Sequence, residues 1–208
     1  LDWSNGVSPV LVEEGRTNLI PQSEYISDTI VWSGTSAFTI EDNNTTSPEG
    51  VVNATKLTPT TSTGSKAIYH QTSVTSGTDY THSFFIKPNG YNYCSIQFSV
   101  AFGAFNDNYV IFDLTGSGSI NSNTANLNAS IEALANGWFR VSATDTAVAT
   151  SSTRIFLRIS PTASIANYSG NGTDGAYFYG AQLEQGSTTS SYIPTYGTSQ
   201  TRSKEVIS

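Results

Sequence analysis

The chain has 208 residues, of which 12% are charged and 12% are aromatic, and its formal net charge is −7. Binding to a nucleic-acid backbone requires clustered basic side chains, so a chain this acidic is not expected to bind nucleic acid. No apolar run approaches the roughly 18 residues of a membrane-spanning helix, and no membrane interaction is expected.

The first half of the chain contains four predicted β-strands, at 51–57, 67–74, 80–87 and 93–100. The last two alternate between mainly apolar and polar positions, which is the period of a strand with two different faces. Segments rich in Gly, Pro, Asn, Ser and Thr separate the strands and predict turns, at 42–48, 58–64, 76–77 and 88–90.

The second half contains five further predicted strands, at 109–114, 130–134, 138–143, 154–160 and 176–183. The best helix candidate, 129–135, is short and contains the β-branched Ile131, so no long helix is expected. Short strands at regular spacing, joined by polar turns, predict an all-β protein built as an antiparallel two-sheet β-sandwich.

We expect residues 1–208 to form a single sandwich module. Segment 187–208 follows the last predicted strand and reads as a C-terminal tail. Because Tyr192, Ile193 and Tyr196 give this tail apolar surface to bury, we expect it to pack against the sandwich. The chain has no methionine, and we expect it to be part of a longer polypeptide.

Catalysis is not expected from this sequence. A glycosidase needs two facing carboxylates, but most acidic residues lie in turn-like contexts and only Asp113 lies clearly within a predicted strand. The histidines are His70 and His82, and no nucleophile-elbow sequence accompanies them. His82 shares a face with Phe84, which favours a hydrogen-bonded core or edge histidine. The single cysteine, Cys94, is expected to be a buried thiol.

The polar faces of the predicted strands carry the groups that bind sugars. A pyranose stacks its apolar face on an aromatic ring, and its hydroxyls pair with planar donor and acceptor groups. The candidate ligand-binding residues are Phe85, Lys87, Tyr93, Gln97, Trp138, Arg140 and Arg158. Phe156 lies on one of the same polar faces. Two alternatives stay open: Trp138 and Phe156 can instead pack as structural aromatics, and the arginines can be solvated surface residues.

Two aromatic loops form a second candidate surface. Tyr91, Phe102, Phe105 and Tyr109 lie near predicted turns, where globular proteins usually place polar residues. Aromatic rings exposed in loops indicate either a ligand or a partner subunit, and the sequence does not separate these alternatives.

Three motifs in the same order give a resemblance to a known family. They are PVLVEEGRTNLIPQSE at 9–24, NGWFRVSATDTA at 136–147 and DGAYFYGAQLEQGSTTSSYIPTYGTSQTR at 174–202. Together they resemble the concanavalin-like, jelly-roll carbohydrate-binding domains of tailed-phage virion proteins and marine bacterial polysaccharide-degrading proteins. The resemblance implies a jelly roll that binds polysaccharide without catalysing its breakdown, located outside the cell or on the virion surface.

The resemblance also implies a structural calcium ion, which in similar domains joins the N-terminal segment to the final strand. The matching positions are Glu24 and Asp174. Calcium takes only oxygen ligands, so carboxylates at both ends of the chain suit this role. Either acid can instead cap a turn.

We therefore expect a non-catalytic polysaccharide-binding module, belonging to a phage surface adhesin or to a larger degrading enzyme. The alternative is a virion decoration or fibre domain whose exposed aromatics pack against sister subunits of a homo-oligomer, without a glycan role.

Overall fold

A computed structural model describes residues 13–204. The first four residues of the N-terminal motif (9–12) and the last four of the predicted tail (205–208) lie outside this range. The strands are β1 (Arg16–Asn18), β2 (Trp32–Ser33), β3 (Phe38–Thr46), β4 (Val52–Pro59), β5 (Thr63–Gly64), β6 (Ala67–Val74), β7 (Asp79–Asn89), β8 (Tyr93–Phe98), β9 (Asn108–Asp113), β10 (Ser119–Asn123), β11 (Asn128–Ala133), β12 (Phe139–Thr146), β13 (Ser151–Ser160), β14 (Tyr168–Ser169), β15 (Gly175–Gln185) and β16 (Gln200–Arg202).

Two six-stranded sheets form the body of the protein. The first sheet has the strand order β10-β9-β8-β13-β6-β2, and the second has the order β11-β12-β7-β15-β4-β3. The paired strands run antiparallel throughout. Two short pairs, β1 with β16 and β5 with β14, complete the structure. The predicted all-β fold, an antiparallel two-sheet β-sandwich of jelly-roll type, is confirmed.

Each of the nine predicted strands overlaps a strand of the structure, and the weak helix candidate 129–135 lies largely in β11. The helical residues in the described range are single 3₁₀ turns at Thr35–Ala37, Ala101–Gly103, Thr124–Asn126 and Ala135–Gly137. No helix within residues 13–204 has the length and apolar character needed to cross a membrane.

The predicted turn at 42–48 is wrong, because β3 continues through Thr46. The polar run is tolerated there since β3 is the edge strand of the second sheet. Its pairing with β4 shifts register between Glu41 and Thr45, and Asn43 adopts a left-handed φ of 53° at the irregularity. Asn is among the few residues other than glycine that adopt this conformation readily.

The inner faces of the sheets share one hydrophobic core. The alternation predicted from the sequence is confirmed: Ile96 and Leu157 point inward from the first sheet, and Phe84 and Val141 point inward from the second. Burial of each large apolar side chain in this core stabilises the folded state by roughly 1.5–3 kcal/mol relative to leaving it exposed. Cys94 belongs to the same core, as predicted, and burial raises the pKa of its thiol.

The two histidines lie on core-facing positions of opposite sheets. His82 is fully buried, and its ring packs against Phe84 at a centroid distance of 5.6 Å. The core position was predicted, but the expected hydrogen bond is not found: neither ring nitrogen has a partner within residues 13–204. His70 differs, because its Nδ1 lies 3.2 Å from the Val31 carbonyl oxygen.

The C-terminal tail, residues 187–204, crosses the outer face of the second sheet. Tyr192 lies on this face, and its ring contacts the rings of Phe85 and Tyr179 at centroid distances of 5.9 and 5.5 Å. The approach depends on Gly180, where β15 shifts register against β7 and φ is 61°. A Cβ atom at this position would lie only 3.0 Å from the Phe85 ring and 3.1 Å from the Tyr192 ring.

Candidate functional site

The outer face of the first sheet carries a row of side chains set in register across four strands. Tyr69 on β6 pairs with Phe156 on β13, Phe156 pairs with Gln97 on β8, and Gln97 pairs with Tyr109 on β9. The next positions along β13 on the same face are Arg154 and Arg158. We call this surface the aromatic–arginine face; it comprises Tyr69, Gln97, Tyr109, Arg154, Phe156 and Arg158.

The rings of this face are partly exposed and touch one another. The Tyr69 and Phe156 centroids lie 5.0 Å apart with a tilt of 58°, which is a favourable aromatic pair geometry. Both side chains are half-buried, so each ring rests on the sheet while part of its surface faces water. The two rings are tilted rather than coplanar, and the Arg158 guanidinium lies over the Phe156 ring at 5.0 Å. The exposed parts of the rings and the neighbouring guanidinium groups therefore form one mixed surface that a sugar can contact.

Hydrogen bonds fix Arg158 and Gln97 in place. The Arg158 guanidinium donates from Nε and Nη2 to Gln97 Oε1, at 3.0 and 2.8 Å, and from Nη1 to Ser65 Oγ at 2.8 Å. Gln97 in turn donates from Nε2 to Asp107 Oδ1 at 2.9 Å. Burial lowers the pKa of Arg158, whereas the charge of Asp107 raises it. The side chains are therefore oriented before any ligand arrives.

Arg154 is held by aromatic rings rather than by hydrogen bonds. Its guanidinium carbon lies 4.9 Å from the Tyr69 centroid and 5.5 Å from the Phe102 centroid. Phe102 extends this mixed surface from the 3₁₀ turn Ala101–Gly103, and 56% of its surface is exposed. Its φ of 64° is unfavourable for a bulky residue, so the turn holds this ring outward at a cost in backbone energy.

The seven predicted binding residues do not share one face. Tyr93, Gln97 and Arg158 lie on the outer face of the first sheet, whereas Phe85, Lys87 and Arg140 lie on that of the second. Trp138 precedes β12 and is buried beside the second sheet. The predicted residues therefore cannot form one binding face together. The alternation of apolar and polar residues distinguishes core-facing from outward-facing side chains, but it does not show to which of the two sheets a strand belongs.

On the second sheet, intramolecular contacts occupy the predicted residues. Arg140 donates from Nη2 to the Ser190 carbonyl of the tail at 2.7 Å, and its guanidinium lies over the Phe85 ring at 5.2 Å. Trp138 is 1% exposed and donates from Nε1 to the Thr46 carbonyl at 3.2 Å, so it packs as a structural aromatic. Lys87 differs from these residues: it is half-buried on β7, and it forms no ion pair within residues 13–204.

The aromatic loops divide in a similar way. Tyr91 and Phe105 are buried in the core, which corrects the expectation that they are exposed. Tyr109 is half-buried, and Phe102 is exposed. The sequence reasoning missed Tyr69 and Arg154 as members of a binding surface. Both residues alternate with mainly apolar residues, in the runs 67–74 and 154–160. This alternation indicates that their side chains point away from the core.

Glu24 lies at the centre of a cluster of tyrosine hydroxyl groups. It is 2% exposed, and its Oε1 accepts hydrogen bonds from Tyr179, Tyr192 and Tyr196 at 3.2, 3.3 and 2.9 Å. Its Oε2 accepts one from Asn53 Nδ2 at 3.3 Å. Although 62% of Tyr196 is exposed, desolvation of its hydroxyl group, together with the bond to Glu24, raises the pKa of Tyr196 to about 12. The cluster joins the N-terminal segment to β15 and to the tail.

Asp174 has a different environment from that of Glu24. Its Oδ2 accepts a hydrogen bond of 2.6 Å from Asn171 Nδ2, and its backbone N–H donates to Asn171 Oδ1 at 2.8 Å, as in a capped turn. No group of three or more His, Cys, Asp or Glu within residues 13–204 could hold a metal ion. Calcium requires six to eight oxygen ligands, so this pair alone does not fit a calcium site, and the ion stays a prediction.

Comparisons with known proteins do not identify a family for this chain. No protein-family profile matches the chain, and no curated protein matches it. Among solved structures, the chain is similar to the CBM22-1 and GH10 modules of the Clostridium thermocellum N-terminal endo-1,4-β-D-xylanase 10B, complexed with xylohexaose. The TM-score is 0.43 and the identity 14%, covering 87% of this chain and 30% of that one. Functional assignment therefore rests on the chain's own residues.

Proposed function

We propose that the protein is a non-catalytic polysaccharide-binding module and that the glycan lies across the aromatic–arginine face. One observation carries this proposal: Tyr69 and Phe156 stand side by side, partly exposed, in the same register row as Gln97. The rings offer exposed surface for the apolar side of a sugar, and the half-buried guanidinium groups of Arg154 and Arg158 offer planar donors for its hydroxyls. Gln97 itself is buried and serves to hold Arg158.

The shape of the site favours a polymer over a small isolated ligand. The row from Tyr69 to Tyr109 crosses four neighbouring strands. Adjacent strands lie about 4.8 Å apart, so the row extends over roughly 14 Å, the length of several sugar units. A small molecule would bury only part of this surface. We infer an extended chain of sugars that contacts successive side chains.

A specific surface feature supports the alternative function, a virion fibre or decoration domain. Phe102, Val100 and Val148 are each more than half exposed, and the Val148 N–H donates to the Ala104 carbonyl, which brings their two loops together. An exposed apolar group of this kind is also typical of subunit contacts. In that case the protein should form a stable homo-oligomer, which size-exclusion chromatography with light scattering measures.

The proposal is tested by affinity electrophoresis in gels containing polysaccharides selected from a glycan array. We expect retardation of the native protein and loss of most of it in Phe156→Ala, because removing the ring costs roughly 1 kcal/mol or more of stacking. Tyr177→Ala is the matched control, since Tyr177 is a half-buried aromatic on β15 of the second sheet. Equal retardation of both variants would place the glycan elsewhere.

Glycan binding on the array and the oligomeric state in solution together distinguish the two functions. Glycan binding by a monomer supports the polysaccharide-binding module, whether its parent protein is a phage adhesin or a larger degrading enzyme. A stable oligomer that binds no glycan supports the virion structural domain. In either case we propose an extracellular or virion-surface location, in keeping with the polar, weakly charged composition.

A further inference from the structure

The two charged members of the aromatic–arginine face are both arginines, although Asp107 contacts Gln97 beside them and Asp113 lies at an outward position of β9. The chain has a net charge of −7, yet this face carries Arg154 and Arg158 on the central strand β13. The ion pairs found within residues 13–204 are Arg16–Glu184, Lys56–Glu41, Arg202–Glu13 and Lys204–Glu14. Neither arginine of the face takes part in them, although acidic residues outnumber basic ones by 16 to 9.

Arg154 is the less satisfied of the two cations. Its Nε is buried and has no hydrogen-bond partner in the described part of the chain. The contacts that hold the guanidinium are the rings of Tyr69 and Phe102, at 4.9 and 5.5 Å. Cation–π contacts orient a guanidinium without using its N–H donors. Arg154 therefore presents a fixed, planar set of donors with no protein acceptor.

Arg158 has a complementary role. Three of its five N–H donors bind Gln97 and Ser65, both of them neutral partners, so its positive charge is not cancelled by direct contact with a carboxylate. Asp107 contacts Gln97 and acts on Arg158 by its charge, without a direct hydrogen bond to it. Arg158 thus adds positive potential beside Arg154 without competing for the same ligand group. A ligand that brought an anion to this place would gain from both charges.

We propose that the polysaccharide is acidic, and that Arg154 pairs with a carboxylate or sulfate group on a sugar stacked against Tyr69 and Phe156. This inference rests on the proposed function and names the class of glycan for the same site. Guanidinium groups bind carboxylate and sulfate oxygens through paired N–H donors. Phe102 holds Arg154 from the loop side, so it is a positioning residue for this contact.

Two pairs of polymers distinguish the possible anions. Polygalacturonate differs from its fully methyl-esterified form in the carboxylate charge and the added ester methyl group, and κ-carrageenan differs from its desulfated form in the sulfate. We expect the native protein to bind the acidic member of one pair at least about tenfold more tightly than its neutral form. The affinity for the acidic form should fall as salt is raised, because the contact is partly exposed.

Arg154→Gln removes the charge while keeping a planar polar side chain. It should lower the affinity for the acidic polymer by a clearly larger factor than the affinity for the neutral form, and the charge of Arg158 should keep a small part of the preference. Lys87→Gln is the matched control, since it removes one positive charge from the second sheet, and it should keep the preference for the acidic polymer. Circular dichroism checks that both variants are folded.

Failure of this inference can be told apart from failure of the proposed function. Equal binding of the acidic and neutral members of both pairs, or an equal loss for both members in Arg154→Gln, would overturn the acidic ligand while leaving polysaccharide binding intact. Retardation by none of the four polymers, together with no signal on the glycan array, would overturn both.

Discussion

Glu24 illustrates how one buried carboxylate can join distant parts of a chain. It accepts hydrogen bonds from three tyrosine hydroxyl groups, contributed by β15 and by the tail, and from Asn53 on β4. Hydrogen bonds to a charged group are worth about 1.5–3 kcal/mol each in favourable geometry, and their donors lose a common partner if the carboxylate is removed.

We therefore expect Glu24→Ala to lower the free energy of unfolding by roughly 3 kcal/mol or more. Urea denaturation followed by tyrosine fluorescence measures the change. Glu41→Ala is the control, because Glu41 is exposed and forms a surface ion pair of 3.6 Å with Lys56, which should be worth less than about 1 kcal/mol. A loss for Glu24→Ala no larger than that of the control would contradict the role of the cluster.

The same cluster bears on the calcium prediction. If hydrogen bonds alone join the termini, chelator should leave the melting temperature unchanged. If a bound calcium ion also contributes, chelator should lower the melting temperature and added calcium should restore it, since an ion that binds only the folded state stabilises it.

His82 makes stability depend on pH on the acid side. Burial lowers its pKa from the ordinary 6.5 to about 3, with a smaller contribution from His70. Below pH 6.5 the imidazole of His82 binds a proton in the unfolded chain but stays neutral in the folded protein. The free energy of unfolding is therefore not reduced by this group above pH 6.5. It decreases as the pH falls from 6.5 towards 3, at about 1.4 kcal/mol per pH unit.

His82→Leu should flatten this part of the pH profile. Leucine has a comparable volume and removes the titrating ring, while the carboxylates of the protein and the buried His70 still titrate in both proteins. The measurement is the difference in unfolding free energy between native protein and variant at pH 7 and pH 4. An unchanged slope between these pH values would show that the buried ring does not titrate as described.

At the scale of elements, the tail acts as a cover for the second sheet. Tyr192 packs on Phe85 and Tyr179, and its hydroxyl group shares a hydrogen bond of 2.6 Å with Ser23 Oγ. Gln182 fixes the tail further, since its Oε1 accepts from the Ile193 N–H at 2.7 Å. The tail therefore uses both apolar contact and buried hydrogen bonds.

Two substitutions of Tyr192 separate these contributions. Tyr192→Phe removes only the hydroxyl group, which contacts Ser23 and the Glu24 carboxylate, and should cost roughly 1.5–3 kcal/mol of unfolding free energy. Tyr192→Ala removes the ring as well and should cost more, roughly 3–5 kcal/mol, while opening the Phe85 region to solvent. Denaturant melts give the energies, and limited proteolysis of segment 187–204 reports detachment. Equal costs for the two variants would mean that the ring contributes no packing.

Strands with one buried face and one exposed face were predicted correctly from their alternation. The run 93–100 was readable because Cys94, Ile96 and Phe98 alternate strictly with polar residues. β3 was not predicted, because an edge strand with exposed residues needs no apolar alternation. Asn43 also adopts a left-handed φ where the pairing with β4 shifts register, and an Asn in such a run resembles a turn residue. The tail was expected to pack on the sandwich from its apolar residues, but the sheet it covers depends on contacts formed far apart in sequence.

At the scale of the whole molecule, strand order decides where a binding face can form. Arg140 and Arg158 occupy equivalent outward positions on β12 and β13, which follow one another in sequence. The two strands nevertheless belong to opposite sheets, so one arginine lies under the tail and the other on an open face. A local sequence pattern contains no information on this choice, which explains why only part of the site was predictable.

Locating the bound glycan on the protein tests the proposed binding face most directly. An isotope-labelled sample is titrated with an oligosaccharide of the polymer that it binds, and the changes in backbone and side-chain NMR signals are mapped. We predict that they concentrate on β6, β8 and β13, around Tyr69, Gln97 and Phe156. Changes concentrated around Phe85, Tyr177 and the tail would contradict the central claim that the glycan lies across the aromatic–arginine face.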